Sequence, residues 1–235
     1  MYNNFMIILE NNAIFIADVH YNSNRTEVLS LLYDIKNKNI ITNQLFLMGD
    51  IFDFLAQEIK YFININKKLI DIINELSKNI QIIYLEGNHD FNLKSIFTNI
   101  KVIPREKQPF LIKEKNKKII SLAHGDIYTP FLYNIYTKII RNYYILNFLN
   151  FIDKNNFITK KLEDKLKNKS ICNKQKDFSN FIKTRVDKYN NKNMIIEGHF
   201  HQGLITSNYI NIPSYACNKS YLLYKNNNFL IIFYI

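Results

Sequence analysis

The sequence has no tryptophan, two cysteines, four prolines, five glycines and five histidines among 235 residues. Two cysteines, Cys172 and Cys217, are too few for a disulfide framework, so a reducing cytoplasm is the expected setting. They also lack the spacing of a zinc–thiolate site. No apolar run reaches the ~18 residues of a membrane span. Met1 to Glu10 has neither the basic start nor the long apolar stretch of a signal peptide. With 47% hydrophobic and 22% charged residues, disorder is excluded. The length allows one large domain or two small ones. Asparagine, by contrast, occurs 35 times, which we read as a background of A/T-rich codons.

Against that background the rare residues carry information. The glycines are Gly49, Gly87, Gly125, Gly198 and Gly203, and the histidines are His20, His89, His124, His199 and His201. All the histidines but His20 lie within two residues of a glycine. Glycine marks tight turns, and histidine is the commonest metal-binding and proton-transferring side chain. The pairing predicts a site built on turns.

The turns follow strands. Phe5–Leu9 and Ala13–Ala17 read as a hairpin through Glu10-Asn11-Asn12, and the second run ends at Asp18-Val19-His20. A helix is expected over Thr26–Lys36, capped by Asn24. Leu45–Met48 reads as a buried strand ending at Gly49-Asp50-Ile51-Phe52-Asp53. After one long helix over Ile59–Leu76, Ile82–Leu85 ends at Gly87-Asn88-His89-Asp90. Pro109–Ile112 and Ile119–Ala123 form a hairpin ending at His124-Gly125-Asp126. A helical insert spans Tyr128 to Asn190. Met194–Ile196 then leads to Gly198-His199-Phe200-His201, and Tyr209–Ile212, Tyr221–Tyr224 and Phe229–Tyr234 read as antiparallel strands. Buried strands alternating with helices, each followed by a polar cluster, are an α/β pattern with its site at the carboxyl ends of the strands.

The clusters supply mixed nitrogen and oxygen donors, which suit Mn, Fe, Zn or Co. Alternate residues at a strand end point the same way, so Asp18 and His20 are expected to grip one cation, as are His199 and His201 if their backbone is extended. Seven ligands are too many for one ion but suit two that share a carboxylate.

In order, D-x-H, G-D-x-x-D, G-N-H-D, H-G-D and G-H-x-H resemble the calcineurin-like metallophosphoesterase superfamily, from Asp18 to His201. The resemblance implies an α/β fold of two facing mixed β-sheets flanked by helices. It implies a first metal ion on Asp18, His20 and His201, a second on Asn88, His124 and His199, and Asp50 bridging them. Two divalent ions are expected, Mn2+ foremost. His89 is the expected catalytic residue, giving a proton to the leaving group or steadying a phosphate oxygen, with Asp90 steadying its ring. Asp53 and Asp126 are expected to fix loops.

The layout looks most like the bacterial UDP-2,3-diacylglucosamine pyrophosphatases of lipid A synthesis. The insert, Asn211-Ile212-Pro213-Ser214 and Phe91 after the G-N-H-D motif carry that likeness. One departure is His89, where the better-known branch has arginine. The implied reaction yields UMP and 2,3-diacylglucosamine 1-phosphate. The first half of the insert is aromatic, and an apolar slot for two acyl chains is expected there. Over residues 130–190 it holds 13 Lys/Arg against 5 Asp/Glu, a net +8 of the chain's +11. Such a face predicts peripheral contact with an anionic membrane, at the inner face of the cytoplasmic membrane. The rivals are a nuclease, a cyclic nucleotide phosphodiesterase, a dinucleoside polyphosphate hydrolase or a protein phosphatase. Nucleic acid is disfavoured because the aromatics precede the basic stretch instead of interleaving with it. The parse is one domain over 1–235 with a helical cap over 128–190; the oligomeric state is not legible.

Overall fold

The computed structural model describes residues 6–189 and 193–235. Phe5, at the start of the expected first strand, and Asn190, at the end of the expected insert, lie outside the described residues. The first half contains β1 (Ile7–Ile8), β2 (Ala13–Ile16), α1 (Val28–Lys36), β3 (Gln44–Leu47), β4 (Leu55–Ala56), α2 (Lys60–Ile65), α3 (Lys67–Leu76), β5 (Gln81–Leu85), β6 (Asp90–Phe91) and β7 (Lys101–Ile103). After the hairpin of β8 (Phe110–Lys113) and β9 (Ile119–Ala123) come α4 (Phe131–Ile140), α5 (Tyr143–Ile152), α6 (Phe157–Lys167) and α7 (Phe178–Asp187). The chain then forms β10 (Met194–Glu197), β11 (Leu204–Ile205), β12 (Tyr209–Asn211), α8 (Tyr215–Asn218), β13 (Ser220–Lys225) and β14 (Asn228–Phe233).

Two six-stranded mixed sheets result, ordered β1-β8-β9-β10-β12-β11 and β14-β13-β2-β3-β5-β7. Strands β2, β3, β5 and β7 run parallel, with largely apolar, buried centres and α1 to α3 in the connections of the first three. The period-two alternation of side chains explains the layering. In β2, Ala13 and Phe15 face one way into a cluster with Ile112, Ile120, Leu122 and Ile196 of the other sheet. Ile14 and Ile16 face the other way, onto Leu31, Leu32, Ile73 and Leu76 of α1 and α3. On the outer face of the sheet that holds β10 and β12, Ile195 and Tyr209 pack on Phe178 and Ile182 of α7. The expected pair of facing mixed sheets flanked by helices is the observed architecture.

Four local expectations change. Strands β1 and β2 are not a hairpin: β1 pairs in parallel with β8, and the Glu10-Asn11-Asn12 turn carries the chain from one sheet to the other. Gln44 satisfies this crossing, donating from Nε2 to the Ile8 carbonyl and accepting the Glu10 amide. The helix after it begins at Val28 with no side-chain cap, so Asn24 does not cap it; Asn22 instead takes the amides of Asn24 and Arg25 in the preceding turn. The expected helix over Ile59–Leu76 breaks at Asn66, a buried residue whose amide donates to the Phe54 carbonyl in the loop after Asp53. Strand β12 runs parallel to β10, with β11 as its antiparallel neighbour. The two cysteines, too few for a framework, nonetheless form one disulfide between the α6–α7 loop and α8.

Phe15 and Phe46 stack between the sheets at 4.3 Å and 6°, both fully buried. Phe46→Ala is expected to cost about 3–5 kcal/mol of stability, read as a lower denaturant midpoint with an unchanged slope.

Candidate metal centre

The five polar clusters converge where β2, β3, β5, β9 and β10 end. Ligand atoms of Asp18, His20 and His201 lie within 4.8 Å of one another, and so do those of Asp50, His124 and His199. A third group of the same compactness joins His20, Asp50 and His89. Asn88 completes the picture, its Oδ1 lying 3.2 Å from His124 Nε2. All the residues named from the sequence as ligands therefore come together, with Asp50 common to two groups.

The backbone route to this arrangement is not the expected one. Asp18, His20, Asp50, His199 and His201 have φ of +51°, +46°, +52°, +64° and +57°. Their side chains converge through left-handed turns, not through the alternation of extended strands. Such residues cost of order 1–3 kcal/mol each, and Asp and His are among the side chains that tolerate the conformation best. The surrounding backbone holds them. The amides of Asp18, His20 and Tyr21 donate to the carbonyls of Gly49, Asp50 and Ile51, linking the β2 and β3 loops. Ser214 Oγ and the Ala216 amide both donate to the Asp18 carbonyl.

Asp90 is the hub of the β3 and β5 loops. Its fully buried carboxylate accepts the amides of Asp50 (3.0 Å), Ile51 (2.6 Å), Phe52 (3.3 Å) and Gly87 (2.9 Å) and the Tyr84 hydroxyl (2.7 Å). Burial and the neighbouring Asp50 raise its pKa above the usual carboxylate range. The expected support of the His89 ring by Asp90 is not formed, because that carboxylate is taken up by the loop amides and the Tyr84 hydroxyl. His89 Nδ1 instead lies 2.7 Å from the Asp53 carbonyl.

Three rings share this device. A carbonyl only accepts, so His89, His124 and His201 each carry Nδ1–H towards the carbonyls of Asp53, Met48 (2.9 Å) and Ile171 (2.7 Å). Each ring is thereby fixed with Nε2 turned into the cluster, the tautomer that a metal ligand or a proton-exchanging base requires. His124 Nε2 lies 3.4 Å from Asp50 Oδ2, and His201 Nε2 lies 3.3 Å from Asp18 Oδ1.

Electrostatically the centre is a buried acid–imidazole cluster. Burial pushes Asp50 up, but the His124, His89 and His20 rings outweigh it and hold the carboxyl well below its usual range. Burial acts against His124, yet Asp50 and Asp18 raise it well above an ordinary imidazole. His199, buried beside His124, is pushed down to about 4. Among the described residues neither Asp18 nor Asp50 pairs with Lys or Arg. Asp18 Oδ1 and His20 Nδ1 are buried without a hydrogen bond. Buried charges and orphaned donor atoms of this kind are held by ions, so the nitrogen and oxygen donor set fits divalent cations.

Four arginines, read past in the sequence, frame this cluster. Arg25 meets Asp53 at 2.5 Å, Asp53 also accepting from the Asn22 amide and lying 3.4 Å from His20 Nδ1. Arg105 and Arg141 reach Asp126 at 2.9 and 3.2 Å, and Arg141 also donates to the Gly87 carbonyl. Arg185 pairs with buried Glu197 at 2.6 Å and donates to the Gly125 and Ile127 carbonyls. Asp53 and Asp126 thus fix loops, as expected. Gln108 is a further positioning residue: it accepts the His124 amide and donates to the Glu86 carbonyl. The signal for the arginines was present: they are only four of the 31 Lys/Arg. Gln108 left no such signal.

The sequence model of the calcineurin-like phosphoesterase family matches residues 12–232. A UDP-2,3-diacylglucosamine hydrolase of Wigglesworthia glossinidia brevipalpis is 33% identical over 122 residues, covering 49% of this chain and 46% of that protein. A protein of the same name from Haemophilus influenzae is 25% identical over 212 residues, covering 83% and 84%. The chain thus spans about half the length of the first relative and over four-fifths of the second. Among solved structures, the phosphoesterase Yfce from E. coli is 13% identical, with a TM-score of 0.47, covering 94% of this chain and 92% of that one.

Gly49 has φ +85°, and a Cβ there would sit 2.4 Å from His124 Nδ1. Gly49→Ala is expected to displace that ring and lower divalent-metal affinity ~10–100-fold, measured by titration calorimetry, with the far-UV circular dichroism retained.

Proposed function

The chain belongs to the calcineurin-like phosphoesterase family, and from that premise we propose that it hydrolyses the diphosphate of UDP-2,3-diacylglucosamine, giving UMP and 2,3-diacylglucosamine 1-phosphate. The convergence of Asp18, His20 and His201 on one side of Asp50, and of His124, His199 and Asn88 on the other, carries the phosphoesterase reading. The names of the relatives carry the choice of substrate.

Asp18, His20 and His201 would hold a first divalent ion and Asn88, His124 and His199 a second, with Asp50 between them and Mn2+ the ion of choice. Such a pair acts as a Lewis acid on phosphoryl oxygens and acidifies water. The protein's own part is orientation. The Asp53, Met48 and Ile171 carbonyls aim three rings, Asp90 accepts the Asp50 main-chain amide, and the His89 amide donates to the Asp50 carboxylate. His89, its Nδ1 turned to the Asp53 carbonyl, is the group we assign to the proton of the leaving oxygen. Asp90 acts through the Asp50 loop and is a positioning residue.

We read 1–235 as one domain with 128–190 as its cap. Arg141, between α4 and α5, and Glu163 of α6, which accepts the Tyr61 hydroxyl at 2.5 Å, fasten that cap over the centre. Its outer side is strongly apolar: Phe131, Leu132, Tyr144 and Phe151 are 77–82% exposed. Exposed apolar area of that extent marks a surface that meets lipid or protein. The lysines of the insert's second half add attraction to anionic headgroups. Two acyl chains and a membrane surface account for both features. No helix among the described residues is long and apolar enough to cross a membrane. Peripheral contact at the inner face of the cytoplasmic membrane is the location we propose.

Assayed with Mn2+, the protein is expected to turn over UDP-2,3-diacylglucosamine and to leave single-stranded DNA, a cyclic nucleotide, a dinucleoside polyphosphate and a phosphoprotein intact. Asp50→Ala and His124→Ala should abolish turnover with the fold kept. Turnover of another of these substrates instead would replace the substrate reading while keeping the phosphoesterase one. On phosphatidylglycerol vesicles, Phe148→Ser/Phe151→Ser is expected to lower co-sedimentation at least about ten-fold, the area of two phenyl rings being worth ~1.5–3 kcal/mol each; binding of the parent protein should weaken with salt.

A further inference from the structure

The Cys172–Cys217 disulfide closes a circuit around the first proposed metal site. The two residues are 45 positions apart, with Cα atoms 5.6 Å apart. Cys217 lies in α8, and the start of that helix is bonded to the backbone of the β2 loop. The Tyr215 amide donates to the Ala17 carbonyl at 3.0 Å, the Ala216 amide to the Asp18 carbonyl at 3.2 Å, and Ser214 Oγ to the same carbonyl at 2.9 Å. Cys172 lies in the loop between α6 and α7, which has neither helix nor strand between Asn168 and Asp177. Its neighbour Ile171 offers the carbonyl that takes the Nδ1 proton of His201 at 2.7 Å. One S–S bond therefore joins the support of Asp18 to the support of His201, and these two side chains face each other at 3.3 Å.

A carbonyl on an otherwise irregular loop orients a ring only if the loop is held, since each residue left free regains about 1–2 kcal/mol of backbone entropy. The disulfide is the covalent anchor next to that carbonyl. The supports of the other ring pairs are different. The Met48 carbonyl behind His124 belongs to the strand end after β3, and the Asp53 carbonyl behind His89 is in a loop tied by Asn22 and Arg25. Opening the disulfide thus touches one site and leaves the other supported.

We propose that the Cys172–Cys217 bond is a positioning element for the first metal site, and that its reduction by a dithiol loosens that site's ion while sparing the second. This rests on the two-metal reading given above. In the reduction, a thiolate of the dithiol attacks one cysteine sulfur, and the S–S bond breaks to give a mixed disulfide and one free thiol. The second thiol of the reagent then displaces the other cysteine. The dithiol leaves as a cyclic disulfide, and each cysteine gains one electron and one proton. Reduction frees the Ile171 loop, His201 loses its fixed tautomer, and the donor set of the first ion falls apart.

The test is Mn2+ titration calorimetry on chelator-stripped full-length protein in three forms: oxidised, reduced with dithiothreitol and desalted under nitrogen, and Cys172→Ser/Cys217→Ser. The oxidised form is expected to bind two ions. In the other two forms one site should weaken ~10–100-fold and the other stay within about two-fold, and His201→Ala should weaken that same site. Electron paramagnetic resonance should show the spectrum of a coupled Mn2+ pair giving way to that of isolated Mn2+. Equal affinities in all three forms overturn the proposal, as does an equal weakening of both sites. If the double variant does not fold, the reduced protein alone decides. Failure of the oxidised protein to bind any Mn2+ overturns the two-metal reading itself, and the proposal with it.

Discussion

The buried carboxylate of Asp90 is the constraint on which the centre depends. It gathers the amides of three consecutive residues after β3 and one after β5, and so sets the distance between the loops that carry Asp50 and Asn88. An apolar side chain there would leave four amides and a tyrosine hydroxyl without an acceptor in a dry interior, each at a desolvation cost of about 1–3 kcal/mol. The residue touches no reacting atom in this arrangement. It fixes where Asp50 stands.

The other supports follow the same logic of main chain holding side chain. Carbonyls at strand ends and in loops dictate ring tautomers, backbone ladders hold left-handed turns, and glycines leave room where a Cβ would collide. Gly87 illustrates the last: a Cβ there would fall 2.2 Å from Asp50 Oδ1. The two sheets supply this framework because their parallel strands all deliver their carboxyl ends to one edge of the sandwich.

Much of the site was legible because its residues are scarce. In a chain where codon bias fills positions with Asn, Lys and Ile, five histidines and five glycines stand out, and their placement at strand ends pointed to the candidate centre, while the family resemblance supplied the ligand assignment. The same reasoning applied to arginine would have found Arg25, Arg105, Arg141 and Arg185, each paired with an acid that flanks or supports the centre. Lysine was abundant enough to hide them. The left-handed residues were illegible for a different reason: none is a glycine, and no local pattern distinguishes Asp18 in a turn from Asp18 at the end of an extended strand. The carbonyls of Met48, Asp53 and Ile171 were illegible because every residue has one. Strand β1 was misassigned because a short apolar run before a polar turn satisfies a hairpin as well as it satisfies a crossing between sheets.

The left-handed turns have one more consequence. Their conformational cost is met when the sandwich folds, by backbone bonds such as those from Asp18, His20 and Tyr21 to the β3 loop. The placement of the candidate ligands is therefore set by the polypeptide's own backbone bonds. Small zinc modules acquire their shape from the metal and lose it to chelators. Here the bonds that hold the turns are the chain's own, so on the two-metal reading proposed above loss or exchange of a cation would not require unfolding of the chain.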